Sequence, residues 1–502
     1  MYTSGGPGGY GWGPPPGYGW APPPGVDPRQ RRRRRWYWVL GVSAASVVVL
    51  LMVGVVVFGI QPGFLPRIAG VHLPPVNYAG RPGVPGQVLL PPLRSQPVRG
   101  WRVDVKSMLP ADAVVSSIEY FGNVAEKAYF TIEAIERADL PTRTWVLGVD
   151  VSSGATVFAP VEIGGDYADC YVNGPHRVVC LTKIGDIDSG ADLGDVWVID
   201  ADAGKVIAHG PTDLRPNKGE PPHFEVTQAG DYAIASQYDV GTYGIGDQGQ
   251  RSWFVAGQGT GLYLFPKKDF PGDPPSNLAM TSKGHRPPSV FSVADGTVVA
   301  EAIDGWVKLF MGGYVVNRKE DPELFEFYDQ RGAKAGQYRT PGHAIATASD
   351  VGELPVLTFN LNRRDETQLV FDHRGAPMAV VQTRLTGHAA RFLGPYLYAR
   401  TTGDPDSPDA VWDKFDLKTG SRVSSCHGLP LDDTTFVGSD GTIVIGRFYH
   451  SAGSDPLIAV DTNTCDVVWQ IPHSPPMWTI GKTLVQASPD NAEITSLVPP
   501  AR

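Results

Sequence analysis

The sequence predicts an all-β domain outside a membrane, carried behind one N-terminal transmembrane helix. Three observations predict it. Residues 36–60 are 25 consecutive residues without a charge, preceded by Arg29 and the run Arg31 to Arg35. From Trp101 onward, short β-branched and aromatic runs alternate with turn chemistry, and helical periodicity nearly vanishes. Within that region one strand-turn-strand unit recurs at almost constant spacing.

The first element is a tail, residues 1–28. Residues 10–25 read Tyr-Gly-Trp-Gly-Pro-Pro-Pro-Gly and then Tyr-Gly-Trp-Ala-Pro-Pro-Pro-Gly, a tandem repeat with nothing able to form a core. Such composition predicts disorder with polyproline II character. Its proline triplets, with Tyr10, Trp12, Tyr18 and Trp20 as stacking anchors, suit a multivalent ligand for a cytoplasmic partner as well as they suit a solvated spacer. The Arg-rich stretch 29–35 then fixes orientation, because positive charge packed against one end of a span stays cytoplasmic. Residues 36–60 are long enough to cross roughly 30 Å of hydrocarbon. A cleaved signal peptide would carry an apolar core of only about 7 to 15 residues. The expectation is therefore a retained anchor in a cell membrane, single-pass, with the N-terminus cytoplasmic and the C-terminal domain extracytoplasmic. Residues 61–99 carry nine prolines and little periodicity, predicting a stiff linker that holds the domain off the membrane.

Residues 61–502 hold a net charge of −14, so nothing favours nucleic-acid binding. The four cysteines, Cys170, Cys180, Cys426 and Cys465, lie beyond the apolar stretch and form no C-x-x-C spacing. Cys170 and Cys180 flank Asn173-Gly174-Pro175, which predicts a pair across a hairpin and leaves Cys426 with Cys465.

The recurring unit is an apolar strand ending at an acidic residue, a turn with Gly or Asn, and a second apolar strand. It ends at Asp150, Asp200, Asp329, Asp372, Asp416 and Asp461, the last four spaced by 43, 44 and 45 residues. A further copy surrounds Asp295-Gly296. A period of about 40 to 50 residues with four strands per repeat is the signature of a β-propeller. Seven such landmarks, plus closure of the C-terminal strands by a strand near Trp101 to Val105, predict eight blades across residues 100–502, with seven as the alternative. About 241–288 is the longest irregular stretch of the domain and is expected to be an insertion and a functional loop.

The units at 195–207 and 457–471 resemble repeats of the pyrroloquinoline-quinone-like propeller family, including BamB-type outer-membrane assembly factors. That resemblance implies the fold. The enzymes of the family hold their quinone over a Trp floor beside a disulfide of adjacent cysteines, with a calcium ion bound by carboxylates and amides. No adjacent Cys pair exists here, so PQQ chemistry is not expected, nor is any other cofactor. The Pro/Gly/Tyr-rich tail, Arg run and single span also resemble membrane proteins of high-GC Gram-positive bacteria.

Asp186, Asp188, Asp192 and Asp195 crowd one stretch and are the candidate calcium ligands, although Gly190 and Ala191 break the EF-hand pattern. His223, His343, His388 and His473 each precede the first strand of a blade, where a sparse ring of imidazoles would bind metal or respond to pH. Gly244, Gly246 and Gly249 spell G-x-G-x-x-G without opening a helix, so the expectation is a flexible loop and no dinucleotide. Asp432 and Asp433 are adjacent carboxylates, too ordinary in an acidic β-protein to argue glycoside hydrolysis. No H-E-x-x-H, G-x-S-x-G or Walker loop is present. The resulting functional expectation is a non-enzymatic interaction scaffold that meets an envelope or secreted protein on its propeller face. The alternative is a quinone- or glycan-directed enzyme, or a small-ligand binder, using the channel.

Overall fold

Nine antiparallel sheets follow one another along the chain, and eight of them are made of consecutive strands. The computed structural model describes residue 73 and residues 76–501, apart from 136–141, 165–166, 185–191, 215–223, 238, 258–271, 282–286, 342–345, 349–351, 363–364, 383–389, 404–408, 433, 448–455 and 473. Blades 1 to 8 comprise residues 114–163, 167–211, 224–256, 278–300, 305–339, 346–382, 390–427 and 436–471. Blade 9 joins the two ends of the domain. Its first three strands lie within 477–498, and its outer strand is Val98–Asp104, paired antiparallel with Glu493–Val498. The circle is thereby closed, and no central strand edge is left open at the seam.

The count corrects the expected eight blades, or seven, to nine. Every landmark found in the sequence marks a real blade; of the two blades without one, blade 9 is the expected closure and blade 3 is the addition. Blade 3 lies where an insertion was expected: Gly241–Ile245 and Arg251–Ala256 are its third and fourth strands. Its third strand, Gly-Thr-Tyr-Gly-Ile, lacks the β-branched run of its counterparts and ends without an Asp. Gly244 is there for space, since a Cβ would lie 2.2 Å from the Trp253 indole nitrogen. The G-x-G-x-x-G letters belong to this hairpin: Gly246 N–H donates to the Gln250 carbonyl (2.8 Å), and Gly249 N–H to the Gly246 carbonyl (2.9 Å). The glycines thus follow a strand and turn into another strand, where no helix N-terminus exists to cradle a phosphate.

The recurring Asp has a local cause. Its carboxylate accepts backbone N–H groups two to four residues on and so closes the turn between third and fourth strands. Asp150 accepts from Ser152 and Ser153 (3.0 Å each), Asp200 from Asp202 and Ala203 (3.0 and 2.9 Å), and Asp372 from Arg374 and Ala376 (2.9 Å each). The Ser152 hydroxyl beside Asp150 and the Ala203 N–H beside Asp200 hold both carboxyls below the usual range.

The same turns lock neighbouring blades. In blade 1 the turn residue Gly154 has φ +76°, and a Cβ there would meet Trp101 of blade 9 at 2.6 Å. The Trp101 indole N–H donates to the Val151 carbonyl at 2.9 Å, so the closing strand is pinned to blade 1. Blade 8 uses a different bond at the same turn position. There Cys465, at φ +65°, donates its N–H to the Asp461 carbonyl and is joined by disulfide to Cys426 of blade 7. The second disulfide, Cys170–Cys180, links directly opposed residues of the first two strands of blade 2. Both pairings are those the sequence predicts.

The segments 1–28, 29–35 and 36–60 lie outside the described residues. Among the described residues no helix is long and apolar enough to cross a membrane.

Candidate functional site

Residues 76–94 were expected to stand clear of the domain as a linker, but they pack along it. Proline and glycine keep this segment out of any ladder, so its apolar side chains are free to seek the seams between blades. Leu73 and Val76 pack on the core shared by blades 5 and 6, Tyr78 and Val84 on that of blades 6 and 7, and Leu90 and Leu93 on that of blades 8 and 9. Polar bonds fix the register of this strap. The Tyr78 hydroxyl donates to Asp372 (3.1 Å), Leu90 N–H to the Ser439 carbonyl (2.9 Å), Leu93 N–H to Asp440 (2.7 Å), and Arg94 to Asp461 (2.5 Å). The Trp469 indole donates to the Leu93 carbonyl at 2.7 Å. Asp372, Ser439, Asp440 and Asp461 sit at turns between first and second, or third and fourth, strands, which share one face of the propeller, and Trp469 reaches the strap from the fourth strand of blade 8.

At Gln87 the strap reaches inward and ties together distant blades. Its amide nitrogen donates to Asp273 (2.7 Å) and to the Phe392 carbonyl (2.9 Å), and its amide oxygen accepts from Gly394 N–H (2.8 Å). Val88 N–H donates to the Gly272 carbonyl at 2.6 Å. Gly272 and Asp273 precede the described strands of blade 4, whereas Phe392 and Gly394 belong to blade 7, so the strap ties together residues of blades three apart. The knot is buried and charged: Asp273, Arg391 and Glu353 are all at least nine-tenths buried. Arg391 donates to the Leu431 carbonyl (2.8 Å) and lies 4.2 Å from the Phe436 ring centroid, and Glu353 accepts from Phe392 N–H (3.5 Å).

Burial pushes Asp273 up to about 7, against the hydrogen bond from Gln87 and the charge of Arg391, which act in the other direction. The sign of the linkage follows. With a folded value above the unfolded value of about 3.9, the native state binds this proton more tightly, so the contribution of Asp273 to stability is fully present at low pH and is lost as pH rises from about 4 to 7. Asp273→Asn is expected to flatten this limb and to raise the melting temperature at pH 8 relative to wild type, with little gain at pH 5. Melting curves of both proteins at the two pH values check it, and a stability loss at pH 8 in the Asn variant would refute a protonation cost at this position.

Between the strap and blades 6 and 7 runs a groove of about 1120 Å³, lined among others by Tyr78, Arg81, Asp372, His373 and Arg374. Its lining holds no Ser, Thr, Cys or Lys, and its one carboxylate already accepts from Tyr78. Neither an activated nucleophile nor a carboxylate pair is assembled there. Lys414 is buried and its ammonium is held below its ordinary value by desolvation. It is engaged by Thr462 (3.2 Å), Asn463 (2.8 Å) and the Tyr396 ring (4.0 Å), which makes it a tie between blades 7 and 8.

The structure scatters the residues singled out in the sequence. Asp186 and Asp188 lie outside the described residues, Asp192 starts the third strand of blade 2, and Asp195 faces His209 at 3.3 Å. Among the described residues no three His, Cys, Asp or Glu are placed to hold a metal ion. His223, His343, His388 and His473, the tail residues Tyr10, Trp12, Tyr18 and Trp20, and Asp433 all lie outside the described residues. Asp432 is buried and caps its own turn, accepting from Thr434 N–H (3.2 Å) and the Thr434 hydroxyl (3.0 Å). Gln87 and Asp273 gave no signal in the sequence, because each sits in a Pro/Gly stretch that reads only as loop.

These features define a closed nine-bladed propeller whose N-terminal strap ties residues of blades 4 and 7. Residues 75–500 match the family described as the conjugation-associated 9-bladed beta-propeller domain, and the chain belongs to that family. An uncharacterized protein of Mycolicibacterium smegmatis (strain MKD8) is 29% identical over 516 residues, covering 95% of this chain and 100% of the relative. Among solved structures, BamB from Moraxella catarrhalis is similar at a TM-score of 0.38 and 12% identity, over 81% of this chain and 99% of that one. A europium-containing methanol dehydrogenase gives 0.30 and 14%, over 80% and 88%. At these scores neither likeness bears on activity.

Proposed function

We propose that this protein is a membrane-attached, extracytoplasmic propeller that serves as a non-enzymatic interaction scaffold in a conjugation-associated envelope assembly. The observation that carries the reading is the strap. It spends part of one face on internal bonds, and the groove beside it gathers no nucleophile and no carboxylate pair. What such a fold offers is its opposite face, held rigid by nine interlocked blades. The uncharged stretch 36–60 behind its Arg run supports attachment to the membrane, and two disulfides suit an oxidising side of it. The tandem Tyr-Gly-Trp repeats of residues 10–25 would engage a second partner on the cytoplasmic side.

Co-purification of tagged full-length protein from native membranes in mild detergent, beside a chain lacking residues 1–28, tests this. A stoichiometric envelope partner is expected in both samples, with any cytoplasmic partner lost alongside the tail. Recovery of a solitary protein from both would overturn the scaffold reading.

A further inference from the structure

The seam where the chain ends meet carries a second groove, of about 610 Å³, between the first strands of blades 9 and 1. Its walls are Tyr120, Trp478, Pro475, Pro476 and Pro489, with Glu119 at the rim. The aromatic pair is held in place from behind. Trp478 packs edge-on against buried Phe130 (5.7 Å between centroids) and lies 6.4 Å from Tyr120, whose hydroxyl donates to Asn123 at 2.7 Å. Asn491 clamps the groove by donating to the Ser116 carbonyl at 2.7 Å. The walls are thus a preformed ridge of rings and prolines with little rotamer freedom to lose on binding.

We propose that this groove docks an extended, proline-rich segment of a partner protein that carries a basic residue. A polyproline II strand has no internal hydrogen bonds and presents its rings and carbonyls outward, which suits grooves walled by aromatic residues. Half-buried Trp478 lines the groove, and its indole N–H has no hydrogen-bond partner among the described residues, which leaves a donor for a peptide carbonyl. Charge selects the flanking residue: no Lys or Arg lines the groove, Glu119 does, and residues 61–502 are net acidic. A glycan fits the walls less well. Sugar hydroxyls need several free polar partners, and in this lining the Asn491 amide nitrogen is committed to the Ser116 carbonyl, the Ser116 and Ser117 hydroxyls to Glu133 and the Tyr120 hydroxyl to Asn123.

This assignment deepens the scaffold reading and rests on it. The test is fluorescence anisotropy with full-length protein in detergent and a labelled octapeptide, Arg-Pro-Pro-Pro-Ala-Pro-Pro-Arg. Controls are the same peptide with its prolines replaced by alanine, the same with arginines replaced by glutamate, and chitotetraose as a competitor. Binding is expected for the first peptide alone. It should weaken about tenfold or more in Trp478→Ala and severalfold in Glu119→Lys, an exposed change that leaves the melting temperature unaltered and covers the case in which the Trp variant does not fold. Absence of binding, equal binding of the alanine or glutamate peptide, binding indifferent to both substitutions, or displacement by chitotetraose would each overturn it. The two readings fail separately: an envelope partner that co-purifies undiminished with both variants leaves the scaffold standing and removes this groove as its site.

Discussion

A chain that begins at Lys106 is expected not to form a monodisperse propeller, whereas one that begins at Val98 is expected to fold and to melt several degrees below the full domain. The first truncation removes the outer strand of blade 9. That strand pairs Val98 with Val498, Arg99 with Leu497, Arg102 with Thr495, Val103 with Ile494 and Asp104 with Glu493. It also removes Trp101, which fills the space over Gly154 and bonds the Val151 carbonyl. Without it blade 9 offers an open edge and the contact to blade 1 is lost, a combination that favours aggregation over closure. The second truncation keeps closure and takes away only the strap. Val84, Leu90 and Leu93 are each under 8% exposed, and at roughly 1.5–3 kcal/mol per buried aliphatic side chain their loss costs about 9 kcal/mol as an upper figure. Size-exclusion chromatography and thermal melts of the two chains give the answer. Equal melting temperatures with and without residues 73–97 would mean that the strap lies on the domain without stabilising it.

The architecture was legible from the sequence wherever the third strand of a blade closes its turn with a carboxylate. That device is local chemistry, an Asp accepting N–H groups a few residues on, so it leaves a residue-level trace at Asp150, Asp200, Asp329, Asp372, Asp416 and Asp461. Blade 3 closes its turn with backbone bonds and the Gln250 side chain, which accepts from Gln248 N–H, in place of a carboxylate, and it relies on Gly244 to admit Trp253, so its trace is glycine, which reads as irregularity. The spacing held the missing information. Asp200 and Asp329 are 129 residues apart, three periods of the length that separates the later landmarks, which leaves room for two blades between them and not one with an insertion.

The strap and its knot were not legible for a different reason. Proline composition states what a segment does not form, namely ladders and helices, and is silent on whether its few apolar residues find a seam. Leu90 and Leu93 differ from solvated linker residues only through the core residues of blades 8 and 9 they meet, Ile443 to Leu497, which follow more than 300 positions later. The Gln87–Asp273 bond likewise joins residues 186 positions apart, through side chains that would be unremarked in any loop. Long-range polar pairing of this kind has no periodicity, so a single sequence carries no sign of it.

Loss of the Cys426–Cys465 bond is expected to be costlier than loss of Cys170–Cys180. On the chain-entropy account, a cross-link across 39 residues restricts the unfolded chain by about 4 kcal/mol, whereas one across 10 residues gives about 3 kcal/mol. The structural context widens the gap. Cys170 and Cys180 are directly opposed in a pair of strands already held by six residue pairs, so the hairpin keeps its register without the bond. Cys465 instead occupies, at positive φ, the turn position where other blades place glycine beneath a side chain of the preceding blade. Its sulfur is the contact between blades 7 and 8 at that point, beside the buried Lys414 tie to Thr462 and Asn463. Cys426→Ser with Cys465→Ser leaves that seam without either the covalent bond or the packing it replaced. Cys465→Gly with Cys426→Val restores the glycine-under-aliphatic arrangement seen between Gly249 and Val196, and is expected to recover part of the loss. Urea unfolding of the four proteins under non-reducing conditions ranks them. A midpoint for the Ser pair at 426 and 465 no lower than that of the Ser pair at 170 and 180 would mean that the seam is held by its other contacts.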